Sequence, residues 1–477
     1  MKSPFVRKRS RPYQSRREER GVTIVLVALT MIAIMAMAAL SIDVVTLYLA
    51  NAEAQRAADA AALAGARILS ITGMTGDPNN TGGHWQQACD FASKVAVAVA
   101  EQNIVGGTAP TGVGQVTVTF PNNSDAAACT GDSPAFGVNP LVTVKVQSAS
   151  LPTFFARIWG QTGASVSATA TAEAFNSSNS DTVGNGGPST LTPVQPRCVK
   201  PWIVPNRDPE NGTISCTGNT CPHFVSNTDG SIQSKGIGGA GIIGRTFNLF
   251  ANCDGTTCGP LAPMTNVVTS PLGFPPPPPT PNLEYLPGEI APSFSASAVP
   301  SCAADLYQDA VAGCDETTVY QCGVKSVSAS PPNRVDLSEN PSGTSGDTVV
   351  AAQCLIDPKG KGSDTLDTST YPYHFKAGDG NPLVLAGALS GDNTITNSNS
   401  VVTLPIYNGG FINPNGKTDV TIVGFLQVFI NRINNVDAPG YLNVTVLNVT
   451  GCGDGDNAVG TAVSGTSPVP VRLITYP

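Results

Sequence analysis

Histidine is scarce and scattered: the 477 residues hold three, His84, His223 and His374. No Gly-x-Ser-x-Gly elbow, no His-Glu-x-x-His helix and no phosphate-binding glycine loop occurs. Those are the short patterns that carry hydrolytic, metallopeptidase and nucleotide chemistry. Charge is scarce as well, at 13% of residues. Beyond residue 20 the chain holds 18 basic and 32 acidic side chains, a balance that argues against nucleic acid as a partner. Gly (49) and Pro (39) are abundant instead, so the chain reads as short strands joined by many turns.

One run has neither charge nor proline. Val22 to Ile42 is 21 apolar or small residues, roughly 32 Å as a helix at about 1.5 Å per residue, the thickness of a bilayer's hydrocarbon core. Eight of the first 20 residues are Lys or Arg against two acids. A basic flank before a first apolar helix stays cytoplasmic, so residues 1–20 read as a disordered cytoplasmic tail that touches anionic headgroups. Residues 21–45 read as a membrane span, and the rest as exported. Ala36, Met37 and Ala38 resemble a signal-cleavage site, but the apolar run continues past them, longer than a signal's core of about 7–15 residues. Twelve cysteines, all beyond the span, then read as disulfides rather than free thiols.

The helix need not stop at the membrane. Ten of the 17 residues from Ala50 to Ala66 are alanine, the strongest helix former. Ala57, Ala61 and Gly65 lie four apart on one face without bulk, a strip on which another helix or a sheet can approach closely. Glu53, Arg56 and Asp59 sit three apart and can pair. Asp59 reads equally well as half of a solvated ion pair with Arg56 or as a dock for the following domain. Asp43 reads as a carboxylate snorkelling out of the bilayer edge, where a charge is cheap.

Arg20-Gly21 before the span, Asp43 at its outer end, and the block Gln55, Ala58, Asp59, Ala60, Ala61, Ala62, Leu63, Ala64, Gly65 together resemble the N-terminal region of TadE/TadG-like proteins of the tight-adherence (Flp) pilus assembly system. Leu26 stands where a processed prepilin carries Glu, so the chain is more similar to the uncleaved, TadG-like branch. The resemblance implies a non-enzymatic, single-pass component of the bacterial cytoplasmic (inner) membrane that assists pilus or secretion-system assembly through protein–protein contacts. It implies no cofactor, no metal and no small-molecule substrate. It extends over residues 16–175: a second helix at His84–Asn103 with one apolar face, alternating strands at Val116–Phe120, Val142–Val146 and Ser165–Ala172, and a short helix at Leu151–Gly160 whose Phe154, Phe155, Ile158 and Trp159 pin the sheet. Residues 46–175 would then be a pilin-like α+β unit, a long helix lying on an antiparallel sheet. Cys89 and Cys129, its two cysteines, are natural disulfide partners. Some TadG-like proteins carry an Asp-x-Ser-x-Ser metal site; Asp336, Ser338 and Asn340, and Asp367, Ser369 and Tyr371, both fail that pattern at the last position.

Residues 176–196 read as a linker of Ser, Asn, Gly, Thr and Pro. Residues 197–477 form a Cys/Pro/Gly-rich, β-rich extracytoplasmic region. Cys216, Cys221, Cys253 and Cys258, with His223 nearby, are spaced more loosely than zinc knuckles and read as bridges. Pro275–Pro279 reads as a stiff connector. Cys302 and Cys314, also expected in disulfides, bracket a short helix, with Cys322 and Cys354 beyond. Asp454, Asp456 and Asn457 read as a turn, since the rest of a calcium loop is missing. Strands are expected at Val401–Leu404, Val420–Leu426, Tyr441–Val449 and Val471–Thr475. The run from Val423 to Ile433 is apolar enough for a central strand or a short helix. The overall fold class is α+β. The alternative function is a surface or periplasmic adhesin that binds through the β-rich region.

Overall fold

The computed structural model describes residues 18–76, 84–130, 134–151, 153–155, 157, 160, 163–178, 193–209, 223–233, 241–251, 282–288, 290, 295–318, 320–321, 345–408, 420–434, 440–452 and 462–475. Residues 1–17, Pro275–Pro279, Cys216, Cys221, Cys253, Cys258, Ile158, Trp159 and the Asp454–Asn457 turn lie outside them.

One helix, Glu18–Ile71, runs through both the apolar run and the alanine stalk. No glycine interrupts it between Gly21 and Gly65, and no proline occurs in it. Its two halves meet different surroundings. From Val22 to Leu49 the large side chains are bare: Val22 is 69% exposed, Ile24 70% and Leu29 62%. From Ala54 upward Ala57, Ala58, Ala61, Ala62 and Ala66 are fully covered.

A second helix, His84–Gln102, covers part of that face with Trp85, Ala88, Cys89, Ala92, Ala96 and Ala100. An antiparallel sheet covers the rest, in the order Val116–Thr119, Leu141–Leu151, Ala164–Ala174, Val471–Ile474. Val142, Val144 and Val146 point from one face of it into the helices, alternating as the sequence pattern requires. Gly65 sits where the elements come closest: a Cβ there would lie 3.1 Å from Val142 Cγ1 and 3.4 Å from Ala96 Cβ. The small-residue strip therefore packs on the chain's own sheet and second helix. A disulfide joins Cys89 of the second helix to Cys129, both buried in this core.

The last strand of this sheet comes from residues expected in the other region. Val471–Ile474 pairs antiparallel with Ala174–Thr171. Arg472 forms an ion pair with Glu173, which is buried. The stretch read as a linker is also built in at both ends: Asn176 is fully buried, and Val194–Pro196 pairs in parallel with Val463–Gly465.

The β-rich half is organised on a seven-stranded sheet in the order Asn282–Glu284, Thr246–Phe250, Tyr441–Gly451, Ile422–Asn434, Val401–Tyr407, Trp202–Pro205, Leu286–Pro287. The undecided apolar run is its longest strand, Ile422–Asn434. Its side chains enter separate cores, Leu426, Val428 and Ile430 one, Phe425 a second and Phe429 a third, so both faces are covered and it shows no alternation. Four asparagines on adjacent strands link in series: Asn431 donates to Asn443, Asn443 to Asn248 and Asn248 to Asn282, at 2.9–3.1 Å. The expected short helix is present as Leu306–Ala312, capped by Asp305. The cysteines that flank it do not bridge each other. Cys302 joins Cys354 and Cys314 joins Cys198, and Cys452 is also disulfide-bonded.

Candidate functional site

The motif residues lie along one helix, and the structure gives each a neighbour. Asp43 ends the bare half. It is 3% exposed, so it does not snorkel into water as the sequence suggested. Its two carboxylate oxygens accept separate backbone hydrogen bonds, from Phe154 N–H at 2.9 Å and Phe155 N–H at 3.0 Å. Those amides sit in the turn between strands Leu141–Leu151 and Ala164–Ala174. The carboxylate thus ties the tip of the hairpin to the helix where the apolar run ends. Two charge-assisted bonds hold that tip more firmly than neutral ones would. Phe154 does not pin the sheet either: it is 60% exposed.

One helical stretch higher, Glu53 accepts a hydrogen bond from Gly106 N–H at 2.8 Å. Gly106 has φ +60°, a conformation that favours glycine, and a Cβ there would fall 2.2 Å from Leu151 Cδ2, which would have to move. Next, Gln55 donates to Asp59 at 2.7 Å and reaches the Thr169 carbonyl at 3.5 Å. Neither acid pairs with Arg56, which is exposed. In place of the expected Glu53–Arg56 and Arg56–Asp59 pairs, Glu53 takes the Gly106 amide of the loop before the sheet and Asp59 takes the Gln55 side chain of its own helix. Ala61 is fully buried, Leu63 partly buried against the same core, and Gly21 is open to its surroundings. The structure therefore brings Asp43, Gln55, Asp59, Ala61, Leu63 and Gly65 into one seam between helix and sheet, and leaves Gly21 outside it. Sequence reasoning missed Gly106 and the Phe154 and Phe155 amides, because backbone groups and loop glycines carry no pattern of their own.

The top of the helix is fixed to the β-rich half. Ile68, Leu69 and Met74 are buried. Asn448 donates to the Ser70 carbonyl, Tyr371 O–H to the Thr72 carbonyl at 2.6 Å, and Asn176 to Thr75 Oγ1 at 3.1 Å and to the Val449 carbonyl at 3.2 Å. Gly73, at φ +72°, lets the chain pass close under Leu447 and Ile243.

A bare apolar helix that becomes the covered spine of a helix-and-sheet unit, with a β-rich and disulfide-bonded remainder, defines a helix-stalked α+β protein. Residues 21–67 match the Tad family model, described as "Putative Flp pilus-assembly TadE/G-like", and in that segment the chain is similar to that family. The TadG-like branch is compatible with the match. The matched segment runs from Gly21, outside the seam, through Asp43, Gln55, Asp59, Ala61 and Leu63 to Gly65 within it. No curated protein and no solved structure matches the chain.

Proposed function

We propose that this protein is a non-catalytic, single-pass membrane component that assists Flp pilus assembly, with its N-terminus cytoplasmic and its bulk exported. The observation that carries the reading is the bare half of the stalk helix. It is the one described helix long and apolar enough to cross a membrane, with a mean hydropathy of 2.6, and none of that window is buried in the protein. Side chains such as Met31, Ile32 and Met35, each more than half exposed, are stable in lipid and costly in water. Tyr48 (75% exposed) and Phe154 (60% exposed) lie just past the apolar run, where an aromatic belt forms at the headgroups. The basic flank sets the orientation, and disulfides suit an oxidising compartment.

In this reading the protein works mechanically. The anchor holds it beside the membrane machinery, the seam of Asp43, Glu53 and Gln55 sets the angle between stalk and sheet, and the β-rich half contacts pilus or secretion-system subunits. No cofactor, small-molecule substrate or nucleic acid takes part. The test is protease treatment of intact spheroplasts bearing a tag after residue 475. The tag should be removed while an N-terminal tag is protected; the reverse pattern overturns the topology. Removing the protein should abolish assembled pili. Pili that still assemble but fail to adhere would favour the adhesin alternative instead.

A further inference from the structure

Beside the junction of the stalk with the β-rich half lies a cleft of about 530 Å³, within the size range of about 300–1,000 Å³ typical of ligand pockets. Two separate parts of the chain bring three cations to it: Arg67 from the upper stalk, and Arg197 and Lys200 from the segment that follows strand Val194–Pro196. Asn397, Ser398 and Asn399 add amide and hydroxyl groups, and no Asp or Glu lines it among the described residues. The Cys198–Cys314 disulfide fixes one wall.

This cluster of like charge stands in an exported region that is net acidic. Burial lowers the basicity of the Arg67 guanidinium, and among the described residues neither Arg67 nor Arg197 has a carboxylate partner. Lys200 is 5% exposed. Its ammonium donates to the Gly313 carbonyl at 2.7 Å, capping the end of helix Leu306–Ala312, and has no other partner there. Burial pushes it down to about 7, with the Asp315 charge opposing. Asp364, behind the lining residue Ser398, is taken up by Ser398, Asn381 and the Gly378 amide. Arg67 and Lys200 are withdrawn from water, which is costly for a cation, and an incoming anion beside the exposed Arg197 relieves that cost.

We propose that this cleft binds the carboxylates of an acidic peptide segment of a partner protein. Arginine forks grip carboxylates bidentately, and the apolar walls at Leu355 and Val402 suit side chains next to them. Lipid headgroups are out of reach. Arg67 stands 24 residues beyond Asp43 on one helix, roughly 36 Å at about 1.5 Å per residue, several Debye lengths of about 8 Å. That exclusion alone rests on the membrane reading above.

The test uses the full-length, oxidised protein in detergent micelles. It is titrated with a labelled, C-terminally amidated hexapeptide of Asp and Glu, with its Asn/Gln counterpart, and with inorganic phosphate. Saturable binding of the acidic peptide alone is expected. Arg67→Gln and Arg197→Gln should each weaken it about tenfold, a loss of about 1.4 kcal/mol, Arg67→Lys less, and Arg432→Gln, on an exposed site elsewhere, not at all. Because Arg197 is exposed, its variant keeps the test valid if Arg67→Gln fails to fold. Absence of saturable binding, unchanged affinity in both Gln variants, or phosphate binding as tightly as the peptide would each overturn the proposal. The measurement needs no membrane, so its failure leaves the topology untouched, and the protease result leaves the cleft untouched.

Discussion

From Val22 to Leu49 the stalk helix carries Leu, Ile, Val and Met, and they are bare; from Ala50 to Leu69 it carries mostly alanine, and the alanines are covered. Both halves are continuous helix, and the surface each presents to its neighbours is built of apolar side chains, so helix propensity does not separate them. Side-chain size does. Lipid tails have no fixed shape and accept bulk at any angle, while a strand and a second helix can approach only where nothing protrudes. Size along an apolar helix therefore reports what lies beside it, and Asp43 marks the change.

The comparison can be broken most forcefully in the bare half. Ile32→Arg puts a charge at the centre of the run and should cost about 3 kcal/mol of insertion, read as a loss of membrane-integrated protein in carbonate extraction. Normal integration would mean that protein rather than lipid covers Ile32. At the boundary, Asp43→Ala leaves two amides without their acceptor and should cost about 2–3 kcal/mol. The loss should be local: faster hydrogen exchange at Phe154 and Phe155, with Asp43→Asn intermediate. Unchanged exchange at both amides would remove Asp43 from the seam. In the covered half, Ala61→Leu should destabilise by about 1–3 kcal/mol through overpacking, whereas Ala33→Leu should leave the melting temperature in detergent unchanged. Equal effects at the two positions would sink the distinction. The smallest effect is expected at Arg56→Ala, within about 0.5 kcal/mol, since Arg56 has neither acid as partner; a larger loss in the same melts would restore the ion-pair reading.

Much of the first half was legible because its signals are local. The apolar run, the alanine block, the alternation at Val142–Val146 and the lone pair of cysteines are each visible within one short window or one small region. Asp43 was misread because its partners lie 111 and 112 residues away and are backbone amides, which every residue has. The β-rich half was less legible for a related reason. Ile422–Asn434 is buried on both faces, so period-two alternation disappears, and Cys198 and Cys314 are 116 residues apart, with nothing in either flank to choose among several rivals. The asparagine series across Asn431, Asn443, Asn248 and Asn282 is set by strand order, and strand order is a property of the assembled sheet.

The strand Val471–Ile474 has a consequence for biosynthesis. During export the segment Ala164–Ala174 emerges with one flank unpaired, and its proper neighbour is still some 300 residues from delivery. Until that neighbour arrives the nascent chain offers a template on which strands of other molecules can zip, so a stalled or truncated product should be sticky even though all of its own stalk has been made. Arg472 closing on Glu173 is the moment at which that hazard ends.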